Sequence, residues 1–289
     1  MKAVIAGGTG FLGSALAASL RGDGHHVTIM SRRPRGPDQV GWTDRSALDG
    51  ADVVVNLAGT SLDSGRWNAS RKVEILDSRV QATESIVTAM SEVSRRPSLL
   101  VNQSAVGFYG AHGSEALTEE SPPGSDFLAS VCVAWEAAAM KAAWMTRVVV
   151  LRTGLPLDAA GGALPKLALP FRFFAGGRVG SGKQYWSWIH IDDWVRMVRW
   201  VIENPDVKGP LNATAPAPAT NTELAGALGR ALRRPAFAPA PAFALRLLLG
   251  EMADALILNG QRVLPAKATL SGFEFRYPDL DAALQQIYR

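Results

Sequence analysis

The chain has 289 residues, 47% hydrophobic and 19% charged, which allows one large domain with an appended lobe and excludes extended disorder. The net charge of +4 is spread along the chain without a block of like charges, so we expect no nucleic-acid partner. The one cysteine, Cys132, excludes an intrachain disulfide. No targeting segment and no apolar run of membrane-spanning length is visible, so we expect a cytoplasmic protein without a membrane partner.

Apolar runs and helical patterns alternate over the first half of the chain. We predict strands over 3–7, 26–31, 51–59, 98–105 and 146–154. We predict helices over 11–24, 68–92 and 126–144. The strands lack polar alternation, as is typical of parallel strands that are covered on both faces. The predicted fold class is therefore α/β, with a Rossmann-type doubly wound parallel sheet.

The composition changes after residue 154, where proline and glycine become frequent. The segment "DDWVRMVRWVIEN" at 192–204 predicts one further helix, with Asp192 as its N-cap and an apolar face that returns it to the sheet. We predict that residues 1–154 form the sheet domain and that residues 155–289 form a smaller C-terminal lobe.

The segment "VIAGGTGFLGSAL" at 4–16 follows the first predicted strand and opens the first predicted helix. Its glycines match the spacing of a dinucleotide-binding loop: Gly7, Gly8, Gly10 and Gly13. Glycine is needed there because the turn takes unusual dihedral angles and the backbone must approach a pyrophosphate. The N–H groups at the start of the helix then face that anion. The loop therefore predicts that residues 1–154 bind a dinucleotide.

The end of the second predicted strand distinguishes the two nicotinamide cofactors. An NAD site places an Asp or Glu there to bond the ribose 2′-hydroxyl. This chain instead has Ser31, Arg32 and Arg33, in "MSRRP". Guanidinium groups pair with a 2′-phosphate through charge-assisted hydrogen bonds, whereas a carboxylate would repel it. The predicted cofactor is therefore NADP.

Several motifs carry a resemblance to a known family. "GGTGFLG" at 7–13, "NLAG" at 56–59 and "SAVGFYG" at 104–110 are similar to motifs of the extended short-chain dehydrogenases/reductases. "SDFLASVCVAWEAAA" at 125–139 and "LPFRFFAGGRVGSGKQYWSWIHIDD" at 169–193 resemble the atypical subfamily named epimerase family proteins. The resemblance covers essentially the whole chain. It implies an NADP-binding domain followed by a substrate lobe that includes a short C-terminal domain.

The resemblance also implies which residues hold the cofactor. On the glycine loop these are Gly7, Thr9, Gly10, Phe11, Leu12 and Gly13, and at the 2′-phosphate end they are Ser31, Arg32 and Arg33. Beside the cofactor they are Leu57, Ala58 and Gly59, and from the following helix they are Glu74 and Arg79. An arginine on that helix could reach the pyrophosphate or the nicotinamide ribose. A surface salt bridge stays equally open for it.

Short-chain dehydrogenases use a tyrosine as their acid–base group, with a lysine four residues later on the same helix face. Anchored on the "WE" of "VCVAWEAAA", these two positions fall on Leu128 and Cys132. None of the four tyrosines in the chain has a lysine four residues later. Three explanations stay open: relocated acid–base chemistry, hydride transfer with a proton from solvent or substrate, or loss of the chemistry.

Ser104 and Tyr109 are the predicted catalytic residues. Ser104 matches the serine that bonds the reacting oxygen, at the end of a strand where open α/β sheets place their sites. Tyr109 follows on the next loop and would polarise a carbonyl or pack over the nicotinamide. We expect Cys132 to be an inert thiol and His190 to be structural. No metal-ligand spacing appears, so no metal is expected.

The sequence thus predicts an NADP(H)-binding oxidoreductase that transfers hydride to or from an unidentified small carbonyl or alcohol. Two alternatives stay open. One is a redox-neutral epimerase, of the nucleotide-sugar type, that retains its cofactor. The other is an NADPH-binding sensor without turnover. The expected partner is a small-molecule substrate, and a homodimer is left open.

Overall fold

A computed structural model describes residues 1–42 and 44–289 of the chain. The strands are β1 (Lys2–Ala6), β2 (His26–Met30), β3 (Gln39–Val40), β4 (Val53–Asn56), β5 (Leu99–Ala105), β6 (Ala116–Leu117), β7 (Arg147–Thr153), β8 (Leu155–Leu157), β9 (Tyr185–Trp186), β10 (Trp188–His190), β11 (Gly209–Ala213), β12 (Ala219–Thr220) and β13 (Arg262–Val263). The helices are α1 (Phe11–Gly22), α2 (Ala69–Glu92), α3 (Phe127–Met140), α4 (Leu164–Arg172), α5 (Ile191–Glu203), α6 (Asn221–Leu232), α7 (Ala242–Leu249), α8 (Glu251–Ala253), α9 (Ala266–Leu270) and α10 (Leu280–Ile287).

Seven strands form one parallel sheet in the order β11-β7-β5-β4-β1-β2-β3. The order reverses direction between β1 and β4, so the connecting helices cover both faces, as in a doubly wound sheet. This confirms the predicted fold class. The reversal opens a crevice at the carboxyl ends of the strands, where ligands of such folds bind.

Each face of the sheet packs against its own helices. Leu16 and Leu20 of α1 share one core with Trp194 and Val198 of α5. On the other face, Met90 of α2 packs in a core with residues of β1, β4 and α3. The helix predicted over 192–204 therefore returns to the sheet as expected.

The predicted N-cap of α5 is wrong by two residues. The helix begins at Ile191, and His190 caps it, because its Nδ1 accepts a hydrogen bond of 3.0 Å from the Asp192 N–H. Asp192 lies in the first turn instead, where its negative charge still interacts favourably with the helix dipole.

Strand β11 was missed by the sequence analysis. It comes from "GPLNA" at 209–213, in the segment assigned to the lobe, and pairs with β7 at the edge of the sheet. Proline is tolerated in an edge strand because one side of that strand needs no N–H donor. The sheet thus draws on residues from both sides of the boundary predicted at residue 154.

The rest of the C-terminal half forms a smaller lobe with its own core. Trp188 of β10 is fully buried there, among residues of α4, α6 and α10. Strand β13 pairs with β6, which ties the C-terminal segment to the loop that follows β5. In the described part of the chain, every helix is too short or too polar to cross a lipid bilayer.

Candidate functional site

The glycine loop between β1 and α1 is shaped by contacts that leave no room for side chains. Gly7 has a φ of 75°, and a Cβ on it would lie 2.9 Å from the Leu57 carbonyl oxygen. A Cβ on Gly13 would lie 2.6 Å from the carbonyl oxygen of Gly7. Gly10, the N-cap of α1, has no side chain to cap the helix. The N–H groups of the first turn are therefore available to an anionic ligand.

A second wall of the site follows β2. Ser31 is held to β3 by a hydrogen bond of 2.9 Å from its N–H to the Val40 carbonyl, and its Oγ accepts a bond of 3.2 Å from the Arg33 N–H. Arg32 and Arg33 are exposed, and neither forms a salt bridge with any carboxylate of the described residues. Two uncompensated guanidinium groups thus stand where the sequence predicts the 2′-phosphate.

The third wall is the loop after β4, and a buried polar network fixes it. The Asn56 amide donates 2.8 Å to Thr83 Oγ1 and 2.7 Å to Asn102 Oδ1. Its carbonyl oxygen accepts a bond of 3.1 Å from the Ala58 N–H. Trp135 Nε1 donates to the same Thr83 hydroxyl. This network sets the position of Leu57 and Ala58 against the glycine loop.

These walls enclose a cleft of about 760 Å³. It is lined by Gly7, Thr9, Gly10, Met30, Ser31, Arg32, Arg33, Trp42, Leu57, Ala58, Gly59, Thr60, Asp77, Ser78, Gln81 and Ala82. The predicted site residues from the glycine loop, the β2 end and the β4 end meet here. Met30, Trp42, Thr60 and one face of α2 are not among the predicted site residues. The spacing of Asp77, Ser78 and Gln81 on one helix face could have signalled that contribution.

Five of the residues predicted to hold the cofactor do not line this cleft. Phe11 packs instead on the loop at 161–162, where a Cβ on Gly161 would lie 2.5 Å from its ring. Leu12 packs against the core of the sheet domain, and Gly13 is buried beneath the loop. Glu74 lies on α2 before the residues that line the cleft, and Arg79 lies among them with its side chain against Gly59 and Thr60. Their assignment to the cofactor stays a prediction.

Arg79 is a partly buried cation whose hydrogen bonds go to backbone carbonyls. Its guanidinium donates 2.9 Å to Ile75 O and 3.1 Å to Thr60 O, and lies 5.2 Å from the centre of the Trp135 ring. Burial lowers the pKa of Arg79 from its usual value. Since no salt bridge compensates it within the described chain, an anion near the β4 loop would be stabilised by its charge.

Glu74 has an exposed side chain that contacts the loop after β4. It accepts hydrogen bonds of 2.6 Å from Arg71 and 3.3 Å from Thr60 Oγ1. The Arg71 hydrogen bond lowers the pKa of Glu74, and the positive charge of Arg32 adds to this effect.

The positions of the absent Tyr–Lys pair lie on α3. Cys132 is 4% exposed, and its Sγ lies 3.8 Å from the Ala105 carbonyl oxygen. Burial raises the pKa of the Cys132 thiol to about 11, so it is protonated at neutral pH. A Cβ on Gly107 would lie 3.5 Å from Leu128, so both side chains face the loop after β5.

Ser104 and Tyr109 are both fully buried, and both hydroxyls have partners inside the protein. The Ser104 hydroxyl donates 2.7 Å to Glu136, and the Tyr109 hydroxyl donates 2.7 Å to Asn212 Oδ1. Burial raises the pKa of Tyr109. In this arrangement neither hydroxyl points into the cleft described above. Their catalytic assignment stays a prediction.

His190 also has two partners. Its Nδ1 accepts from the Asp192 N–H, so Nε2 carries the proton and donates 2.9 Å to Gln286. The ring is 2% exposed and lies 4.0 Å from the Tyr277 ring. A buried histidine that caps α5 and anchors α10 has a structural role, as the sequence predicts.

The residues present fit a phosphate-bearing dinucleotide. The glycine loop would exclude any Cβ at Gly7 or Gly13, the N-terminus of α1 offers N–H donors, and Arg32 and Arg33 offer unpaired positive charge. These are the three features that a pyrophosphate and a 2′-phosphate require. The geometry thus defines a protein with a Rossmann-type nucleotide site.

Comparison with known proteins agrees with this class. Residues 3–213 match the model of the NAD dependent epimerase/dehydratase family, and residues 240–287 match a domain of unknown function, DUF1731. The chain belongs to the NAD dependent epimerase/dehydratase family, and it carries that C-terminal domain.

Relatives match over nearly the full length. The mouse epimerase family protein SDR39U1 is 40% identical over 293 residues, covering 99% of each chain. The crystal structure of human SDR39U1 (isoform 2) with NADPH is 37% identical, covers 100% of this chain and 99% of that one, and has a TM-score of 0.94. A nucleoside-diphosphate sugar epimerase structure from Corynebacterium glutamicum is 35% identical, covers 99% of this chain and 58% of that one, and has a TM-score of 0.80. The resemblance noted from the sequence is therefore confirmed.

Proposed function

We propose that this protein binds NADP(H) and transfers hydride between that cofactor and a small carbonyl or alcohol substrate. The observation that carries the proposal is the cleft of about 760 Å³, with its glycine loop on one wall and Arg32 and Arg33 on another. The NADPH present in the human relative supports the choice of cofactor.

The chain would hold the cofactor at three points. The first turn of α1 and the glycine loop would bind the pyrophosphate. Arg32 and Arg33 would pair with the 2′-phosphate, and Trp42 at the same end offers an aromatic face to the adenine. The loop at 57–60 would then direct the nicotinamide toward α3 and the end of β5.

When bound, the cofactor supplies a hydride, that is, a proton with two electrons, to the carbonyl carbon, and is oxidised as the carbonyl is reduced. The carbonyl oxygen must gain a proton at the same time. Leu128 cannot supply it because its side chain is aliphatic, and the Cys132 thiol is buried with its Sγ 3.8 Å from the Ala105 carbonyl oxygen. We propose that this proton comes from water or from the substrate, with Ser104 as the hydrogen-bond donor to the reacting oxygen.

To bond the reacting oxygen, the Ser104 hydroxyl would have to give up its present hydrogen bond to Glu136. Its hydroxyl now donates to Glu136, which also receives two bonds from Arg152. Because Arg152 already compensates that carboxylate, Ser104 can turn away without leaving the charge unpaired. Tyr109 would stay in place, since its hydroxyl both donates to Asn212 and accepts from Arg152.

A second candidate is an NADPH-binding sensor without turnover. It is favoured by the burial of both predicted catalytic hydroxyls and by the absence of the Tyr–Lys pair from the sequence. A redox-neutral epimerase is the third candidate, supported by the name of the Corynebacterium relative. The epimerase is the weakest candidate on chemical grounds, because its oxidation step and its reduction step each need an acid–base group to accept or donate a proton.

The deciding experiment uses NADPH deuterated at both C4 positions. The full-length protein is incubated with this cofactor and a metabolite extract, and deuterium is sought in metabolites by mass spectrometry. The proposal expects a labelled metabolite that appears only with the protein. Gly13→Ala, which should not bind the cofactor, serves as the negative control, and Gly22→Ala on the same helix serves as its matched positive control.

The absence of label would overturn the hydride-transfer proposal, provided that NADPH binding is demonstrated in the same sample. Denaturing the purified protein and assaying the released cofactor then separates the other two candidates. Cofactor retained through purification would favour the epimerase. Cofactor that exchanges freely and is not consumed would favour the sensor.

A further inference from the structure

Positive charge is concentrated in two segments of the C-terminal lobe. Residues 159–191 and 224–250 contain no Asp or Glu, although the whole chain has 26 acidic and 30 basic residues. The two segments carry a series of cations: Lys166, Arg172, Arg178, Lys183, Arg230, Arg233, Arg234 and Arg246. The charge that looks scattered along the sequence is therefore locally unbalanced.

The fold places these segments side by side. The Gly180 N–H donates 2.9 Å to the Ala240 carbonyl, and the Ala238 N–H donates 3.0 Å to the Gly176 carbonyl. Helices α4 and α6, which precede the two paired stretches, share one hydrophobic core. The stretches around 172–180 and 233–240 thus lie side by side, whereas Lys166 of the first segment forms a salt bridge with Asp63.

Large aromatic side chains are exposed in the same region. Phe173 and Phe237 are each 74% exposed, and Phe174 is 57% exposed. The Arg234 guanidinium lies 4.7 Å from the centre of the Phe174 ring. We call the surface formed by Arg172, Phe173, Phe174, Arg233, Arg234 and Phe237 the basic–aromatic patch.

Helix α7 follows Phe237 closely in the chain and carries further exposed apolar side chains. None of its residues is buried, and Phe243 and Leu247 are 74% and 78% exposed. A helix with so little burial gains little stability from its own packing. Within the described chain Ala242, Ala244, Leu245 and Leu249 are partly covered, whereas Phe243 and Leu247 stay mostly uncovered.

Backbone strain coincides with the patch. Phe174 has a φ of 60° and Arg233 a φ of 54°, and these are the non-glycine residues with positive φ among the described residues. Each follows the end of a helix, α4 or α6, at a place that glycine usually occupies. Ala175 N–H to Pro170 O and Arg234 N–H to Gly229 O, each 2.9 Å, close the two turns. The two turns present the Phe174 ring and the Arg233 side chain at the surface.

The patch cations are not neutralised within the protein. Among the described residues, Arg230 pairs with Asp281 and Arg246 with Asp254, whereas Arg172, Arg233 and Arg234 form no salt bridge. A ligand surface for this patch must therefore be both anionic and apolar.

We propose that the basic–aromatic patch docks the protein on a lipid surface with anionic headgroups. Phenylalanine and leucine side chains insert at the boundary between headgroups and acyl chains, while arginines pair with headgroup phosphates. A second copy fits less well, because a symmetric contact would oppose like charges. A nucleic acid would stack on the phenylalanines but would leave Leu247 unused.

This proposal differs from the expectation of no membrane partner, which stays a prediction. That expectation rested on the lack of a spanning segment and of a charge block along the sequence. A protein that lies on a surface needs neither, because the fold assembles the basic and apolar groups from two distant segments. The proposal is independent of the cofactor chemistry.

The test is co-sedimentation of the full-length protein with lipid vesicles. We expect binding to vesicles of 70% phosphatidylcholine and 30% phosphatidylglycerol, little binding to pure phosphatidylcholine, and weakening as salt is raised. Arg233→Gln and Arg234→Gln should each weaken binding by about fivefold. No binding to the anionic vesicles at low salt would overturn the proposal.

Phe174→Gly separates a docking role from a structural one. This change removes an exposed ring and relieves the positive φ, so the melting temperature should rise or stay unchanged while vesicle binding falls. Trp144→Ala is the matched control, since Trp144 is 70% exposed and also lies beside an arginine, with Arg96 5.1 Å from its ring. We expect this control to bind vesicles like the unaltered protein.

Two further outcomes would contradict the proposal. Equal loss of binding in Trp144→Ala and Phe174→Gly would show non-specific adsorption. A vesicle-free change of oligomeric state in the patch variants, measured by light scattering, would assign the patch to a second copy instead.

Discussion

Arg152 and Glu136 are joined inside the protein by two hydrogen bonds, from Nε to Oε1 and from Nη2 to Oε2, each 2.9 Å long. Their side chains are only 5% and 12% exposed. Burial by itself would lower the pKa of Arg152, but the hydrogen bond and charge of Glu136 raise it above its usual value. Glu136 lies four residues after Cys132 on α3, so it shares the helix face that carries Tyr and Lys in short-chain dehydrogenases. In this protein that face therefore holds one partner of a structural ion pair.

The first prediction concerns this ion pair. Glu136→Gln should destabilise the fold by about 3–5 kcal/mol, because it leaves the buried Arg152 without a counter-charge. Urea unfolding measures the change. The control is Glu84→Gln, whose partner Lys141 is 2.7 Å away but whose side chains are 44% and 62% exposed. That surface pair should contribute no more than about 1 kcal/mol, and similar losses in both variants would contradict the structural role of the buried pair.

The second prediction tests the 2′-phosphate site. Arg32→Asp should weaken NADPH binding by about 10- to 100-fold, because a charge-assisted hydrogen bond is replaced by repulsion. Binding of NADH, which lacks the phosphate, should change far less. Fluorescence titration with both cofactors measures this. Arg35→Asp, an exposed arginine outside the cleft, should leave the ratio of the two affinities unchanged; equal losses for NADPH and NADH in Arg32→Asp would defeat the assignment.

The third prediction concerns the glycine loop. Gly13→Ala should abolish NADPH binding and destabilise the protein, because the new Cβ would lie 2.6 Å from the Gly7 carbonyl oxygen and the Gly8 Cα. Gly22→Ala introduces the same group at the other end of α1, where no atom lies within 4 Å. It should leave binding intact and stabilise the helix by up to about 1 kcal/mol. Calorimetric titration of both variants makes the comparison, and tight NADPH binding by Gly13→Ala would refute it.

The fourth prediction separates packing from catalysis at Tyr109. Tyr109→Phe should cost about 1–3 kcal/mol of stability, because Asn212 and Arg152 lose a buried partner. NADPH affinity should not change. Once a substrate is found, the turnover of Tyr109→Phe can be compared with the fraction of that variant that is folded. A loss of turnover no larger than the loss of folded protein would show that Tyr109 takes no part in the chemistry. Ser104→Ala, measured in parallel, should lower turnover at unchanged NADPH affinity if Ser104 bonds the reacting oxygen.

The fifth prediction is a pH dependence. Because burial raises the pKa of Cys132 to about 11 from its ordinary value of 9.0, the unfolded chain loses the thiol proton at lower pH than the folded protein does. The contribution to stability is therefore complete below pH 9.0 and falls as pH rises toward 11, by about 1.4 kcal/mol per pH unit. Cys132→Ala should remove this part of the slope in urea unfolding. An identical slope in both proteins would show that the thiol titrates normally.

The same burial predicts slow thiol chemistry. At pH 8 the native protein should react with a disulfide reagent far more slowly than the urea-unfolded chain, because little thiolate is present and the sulfur is covered. Fast native labelling would place Cys132 in an open conformation.

Much of the sheet domain could be predicted from the sequence. Strands β1, β2, β4, β5 and β7 coincide with apolar runs, because a strand covered on both faces must be apolar along its whole length. The glycine loop was equally visible, since close approach to Leu57 forces the absence of a side chain at Gly7. Strand β11 was not, because its proline is compatible with a strand only at a sheet edge.

The predicted cleft residues are those on the three loops after β1, β2 and β4, whereas the cleft residues on α2 and on the turn after β3 were not predicted. Residues of the β1, β2 and β4 loops are consecutive in the sequence, so a motif identifies them. Trp42 and Gln81 line the same cleft from an isolated turn and from a helix face. Their role depends on how β3 and α2 pack, which no local pattern encodes.

By itself the sequence determined the strand–helix alternation, the nucleotide loop and the positive charge after β2, because each depends on residues within one or two turns of chain. Tertiary structure alone decided which polar groups pair in the interior and which cations stay unpaired. Glu136 and Arg152 lie on two consecutive elements, α3 and β7, and Phe174 and Arg234 lie on separate segments of the lobe, so each pair meets only when those elements pack together. Burial then fixes their chemistry, because a charge or a hydroxyl removed from water must take whatever partner the fold provides.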